Sequence, residues 1–133
     1  MNRLMFLKFW SVAVGSMDAL TGLLLVIAPG FVLQLLGIAA PSPDAMVFLS
    51  WIGIFVMAVG LSYGLVLGRH RERGEAVWAF TALVRILVAG FLTVKIAGGS
   101  LESAWAVVAL SDCVVAVVQI VILRKAWWRE ALR

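Results

Sequence analysis

Several residue types are almost missing from this chain. Its 133 residues include one cysteine and one histidine. Cys113 lies in an apolar run, so it can form no intrachain disulfide and no cysteine-based metal cluster, and it reads as a small buried apolar residue. With His70 alone, bis-histidine haem ligation is excluded and a histidine-based metal site is not expected. No Ser-His or Cys-His pair is available for nucleophilic catalysis, and phosphate-binding and dinucleotide fingerprints are absent. No catalytic residue, metal or cofactor is therefore assigned, and a non-enzymatic role is expected. Charge is also sparse, at 14% of residues.

What the chain has instead is apolar surface. Hydrophobic residues make up 64% of it, with a mean hydropathy of +1.09. A soluble domain is about 45–50% apolar, and a small fold leaves much of its surface in contact with solvent. The excess demands lipid. The net charge of +4 and pI near 10.0 do not point to nucleic acid, because the cations stand in short segments beside apolar runs.

The expected fold is all-α: four transmembrane helices over about 6–28, 45–68, 76–97 and 101–123, forming one membrane domain. The first run is too long for a signal-peptide core and reads as a retained helix. Between the first two spans, Phe31–Ile38 is too short to cross and is followed by Pro41 and Pro43. It is expected as a short interfacial helix.

Orientation follows from the cations. Of the 11 Lys and Arg, Arg85 and Lys95 lie inside spans. The other nine stand at the N-terminal end, in the loop of Arg69, Arg71 and Arg73, and in the tail, and none is in the other two loops. Positive-inside bias places both termini in the cytoplasm. Trp10, Trp78, Trp127 and Trp128 would then mark the inner interface, with Trp51 and Trp105 at the outer one. Membrane lipids, anionic ones at the basic end, are the expected partners.

Small residues predict the packing. Gly60, Gly64 and Gly68 recur at spacing four on the second span. Ser11, Gly15, Asp18 and Gly22 share one face of the first. Such ridges let helix backbones approach in lipid, either within one chain or at a homodimer seam.

The most informative residues are charged. Asp18 lies ten residues beyond Lys8, Arg85 ten beyond Glu75, and Asp112 ten beyond Glu102. At 1.5 Å per residue each sits about 15–18 Å from an interface, near the middle of a bilayer core. Charge at that depth is costly and is a functional hypothesis by default. The economical arrangement sets Arg85 between the two carboxylates, whose oxygens its planar fork can serve together. Ser16, Thr21, Ser62, Tyr63, Thr81, Ser111 and Gln119 are candidate supporting groups. Lys95 is expected to snorkel outward, with Glu102 a possible partner. The cluster reads either as a register-fixing ion network or as a polar, proton-responsive site.

The Ala28–Ile38 exit from the first helix, the Gly60-Leu61-Ser62-Tyr63-Gly64 stretch, the mid-helix Arg85 and the mid-helix Asp112 of the last span together carry a resemblance. The chain resembles, in layout, small four-helix bacterial inner-membrane proteins of the broad DoxX-like kind. That resemblance implies a bacterial membrane location and no site residues. Two roles remain open. One is an accessory subunit or binder of a lipid or other hydrophobic small molecule, in a homodimer or larger membrane complex. The other is a proton- or ion-coupled carrier or channel built from several copies. An enzyme acting on a lipid or quinone is the weakest reading.

Overall fold

The computed structural model describes residues 2–68, 71–131 and 133, so Arg69 and His70 of the expected basic loop lie outside the described residues. Helix α1 covers Arg3–Ile27. Asn2 caps it, its side-chain oxygen accepting from the Leu4 N–H at 3.2 Å, which satisfies one otherwise orphaned donor. The helix stops at Ala28 because Pro29 has no N–H to continue the ladder. The same proline suits the first position of a new helix, and α2 runs Pro29–Leu35. This is the expected short helix after the first span. Leu33 buries its side chain there, and α2 packs on both α1 and the next helix.

Helix α3 covers Pro43–Ser62, capped by Ser42 and opened by Pro43. Its last turn tightens into a 3₁₀ turn, Tyr63–Val66. Helix α4 is Gly74–Ala97. After a 3₁₀ turn at Ser103–Trp105, α5 covers Ala106–Arg124. A final short helix, α6, is Trp127–Ala131. Among the described residues there is no strand. Four segments of 25, 24, 24 and 22 residues are long and apolar enough to cross a membrane. The chain therefore has the architecture of a multi-pass membrane protein, an all-α bundle of four spanning helices.

Most span ends fall within two residues of the sequence expectation, and three places differ for a local physical reason. The first span starts three residues earlier, because Asn2 supplies a cap. The second is not α-helical to Gly68, since 3₁₀ geometry takes over at Tyr63. The tail does not extend α5 straight outward. Ala126 adopts a positive φ of 55° and turns α6 back against the bundle.

The helices assemble as two antiparallel hairpins, α1 with α3 and α4 with α5. The α1–α3 seam is made by glycine. A Cβ on Gly22 would stand 2.5 Å from the Gly53 carbonyl oxygen and collide with the Met57 nitrogen. One on Gly60 would stand 2.6 Å from the Gly15 carbonyl oxygen and collide with the Ala19 nitrogen. The pairs are thus Gly15 with Gly60 and Gly22 with Gly53, and Gly53 was not anticipated. Gly64 and Gly68 take no part in the seam. A Cβ on either meets nothing within 4 Å, because the 3₁₀ turn has carried them off the contact face. The rest of α3 is largely exposed, with Phe48, Trp51 and Phe55 forming an outward aromatic row.

Candidate functional site

Long polar side chains join the two hairpins. Arg85 stands near the middle of α4 and is 4% exposed. Its Nη1 donates to Asp112 Oδ1 on α5 at 2.6 Å. Its Nη2 donates to Asp18 Oδ2 on α1. One guanidinium thus bridges carboxylates from two other helices, the fork geometry for which arginine is suited. The third guanidinium nitrogen, Nε, is buried without a hydrogen-bond partner.

A second polar layer lies toward the end that carries both termini. The Tyr63 hydroxyl stands 2.8 Å from Gln119 Oε1 and 3.0 Å from Thr81 Oγ1. Gln119 Nε2 donates to the Trp78 carbonyl at 3.0 Å and to Thr81 Oγ1 at 2.9 Å. The Thr81 hydroxyl donates to the Val77 carbonyl at 2.8 Å. The Trp78 indole N–H donates to Ser11 Oγ at 3.0 Å. These contacts give the Gln119 amide and the Tyr63, Thr81 and Trp78 donors partners in a buried setting, where an unmatched polar group is expensive. Tyr63 also lies within electrostatic reach of Arg85 and so connects the layers.

The residues proposed as support divide clearly. Tyr63, Thr81 and Gln119 are buried in the second layer. Ser62 turns to its own helix, donating to the Val59 carbonyl at 2.6 Å, and Ser111 does the same with Val108 at 2.9 Å. Ser16 and Thr21 are exposed. Lys95 and Glu102 are both exposed and do not pair; the Lys95 Nζ stands over the Phe91 ring at 5.7 Å. Ser11, which sequence reasoning took for a packing residue, is a hydrogen-bond acceptor. Trp78, expected at an interface, is fully buried. Its spacing of seven from Arg85, two helical turns on one face, was the available signal.

Two concave regions flank these layers. A small one of about 170 Å³ lies at the α1–α3 seam beside Ser11, Gly15, Tyr63 and Gly64. A larger apolar groove of about 760 Å³ opens along α4 and α5, lined by Ala89, Gly90, Thr93, Ala109, Cys113 and Ala116 among others. Neither is lined by Asp18, Arg85 or Asp112. Among the described residues no three His, Cys, Asp or Glu side chains converge as metal ligands. No family model, curated protein or solved structure matches the chain.

Proposed function

We propose that this is a non-enzymatic protein of a bacterial inner membrane, with both termini in the cytoplasm and a DoxX-like layout, that holds a hydrophobic small molecule or lipid tail in the α4–α5 groove. In that reading the Asp18–Arg85–Asp112 network lies at mid-membrane depth and fixes helix register. The observation that carries it is the groove: about 760 Å³ of almost wholly apolar lining, separate from the ion network. Binding sites for apolar molecules are concave, mostly apolar and of this order of size. An ion network whose carboxylates are bridged by one guanidinium, with neither cavity reaching it, suits a lock better than a binding centre.

The variant Gly90→Phe tests the reading, because Gly90 lines the groove and a Cβ there meets nothing within 4 Å, so the added ring can enter the groove space. Native mass spectrometry of protein extracted in mild detergent should find an apolar species retained by the wild type and lost from the variant at unchanged thermal stability. Retention by neither protein, or equally by both, would sink the binding role.

A carrier acting as a homo-oligomer is the second reading. What favours it is that the Asp112 side chain keeps 17% of its surface exposed. Asp18→Asn and Asp112→Asn would then abolish pH-driven flux in liposomes while the fold persists. Unchanged flux with lowered stability would favour the lock.

A further inference from the structure

We propose that α6 is a lid, poised to open, over the end of the buried polar layer formed by Ser11, Trp78, Thr81, Gln119 and Tyr63. The reading does not depend on what the α4–α5 groove holds. Trp128 carries the lid. It is 1% exposed, its ring lies edge-on to Trp78 with centroids 5.4 Å apart, and it presses on Gly74 so closely that a Cβ there would collide with the ring. Trp78 is the hub beneath it: its indole binds Ser11 of α1 and its carbonyl binds Gln119 of α5. Undocking Trp128 would uncover the residue on which that polar layer is assembled.

Three features weaken the closed position. Ala126 holds a left-handed φ of 55°, a conformation that a Cβ disfavours. The Trp128 Nε1 is buried with no acceptor, so docking strips a donor of water without replacing it. At five residues, α6 is too short to be stable as an isolated helix. Against them stand the burial of the Trp128 indole, the packing of Trp127 edge-on to Phe6 with centroids 5.8 Å apart, and, among the described residues, ion pairs to α1 and α4. Arg3 pairs with Glu130, and Arg129 pairs with Glu75 at 3.1 Å. Both pairs are solvent-exposed, so each adds little and is weakened by salt. Arg3 also covers the Trp127 ring at 5.5 Å. Strain and an orphaned donor thus subtract from what these contacts contribute, which favours local opening of α6 over opening of the bundle beneath it.

Hydrogen exchange by mass spectrometry on the full chain in nanodiscs tests this, with α3 as the internal control. In Trp128→Ala, amides of 74–81 and 115–122 should exchange about tenfold faster while α3 keeps its wild-type rate. In Ala126→Gly the left-handed turn loses its strain, so the same segments should exchange more slowly than in the wild type. Wild-type rates in both variants would overturn the lid, and so would a rise in Trp128→Ala shared equally by α3, which would make Trp128 a general core residue. If Trp128→Ala does not accumulate, Ala126→Gly decides the matter alongside Glu75→Cys, Arg129→Cys joined by a bismaleimide that carries a reducible internal disulfide, long enough to replace the two side chains of the ion pair. The intact cross-link should slow the two segments and reduction should restore them, and no difference between the two states would overturn the proposal.

Discussion

The two hairpins are built from the same kind of small-residue spacing and close to different degrees. In α1–α3, glycines seven residues apart on each helix meet in antiparallel register, Gly15 with Gly60 and Gly22 with Gly53. In α4–α5 the buried residues at the same spacing of seven include alanines: Ala82 and Ala89 on one helix, Ala109 and Ala116 on the other. A glycine lets one backbone touch another, whereas an alanine keeps them a methyl group apart. The first hairpin therefore brings its backbones together at two levels and keeps only the small hollow of about 170 Å³ beside the seam. The second leaves a larger groove on its flank, where a Cβ on Gly90 would meet nothing within 4 Å. Small-residue spacing says where helices meet; the seam whose small residues keep a Cβ has the larger groove beside it.

Substitutions can break or sharpen this contrast. The largest effect is expected at the bridge that keeps the hairpins together. Arg85→Ala leaves Asp18 buried and Asp112 half-buried without their cation and should cost about 3–5 kcal/mol in thermal or steric-trap unfolding. A loss under about 1 kcal/mol would mean that apolar packing alone joins the hairpins. Next comes the tight seam. Gly60→Ala sets a methyl against the Ala19 backbone and should cost about 1–3 kcal/mol. If Gly60→Ala is tolerated without loss, the backbone contact is not what closes α1–α3. Smaller still is Ala89→Gly in the open seam, where added backbone freedom should cost about 0.5–1 kcal/mol. A gain in stability there would instead show that the helices can close up to the glycine distance. The smallest is Gly64→Ala, outside both seams, which is expected to be neutral or to stabilise by about 0.4–1 kcal/mol through the unfolded state. A marked loss in denaturation would place Gly64 back in the packing.

The contrast also shows where the sequence was legible. The four spans were readable because long apolar runs ended at Pro29, at Pro41 and Pro43, and at Gly98 and Gly99, residues that act on the backbone locally. The seam was half readable. Gly15, Gly22 and Gly60 were identified, but spacing four favoured Gly64 and Gly68 over Gly53 because it assumed an unbroken α-helix. The tightening at Tyr63 comes without a proline and changes which residues share a face. Hydroxyls were the least legible group. A serine or threonine in an apolar helix can satisfy itself on a carbonyl of its own preceding turn, as Ser62, Ser111 and Thr93 do. Their presence therefore carries no direction, whereas Gln119 has a longer amide and reaches other helices. The return of α6 had no local mark, since its turn residue is an alanine and its aromatic pair reads equally well as an interface anchor.

The ion bridge has a consequence for biogenesis. Asp18 emerges from the ribosome 67 residues before Arg85, and Arg85 emerges 27 residues before Asp112. Asp18 is therefore made ahead of the cation that neutralises it, and Arg85 ahead of its second carboxylate. The α1–α3 glycine seam needs only the first half of the chain, so it can close early and hold Asp18 on a fixed face while it waits. The order of synthesis then matches the order of assembly: a self-sufficient glycine hairpin first, and a second hairpin whose arginine arrives to find its carboxylate already in place.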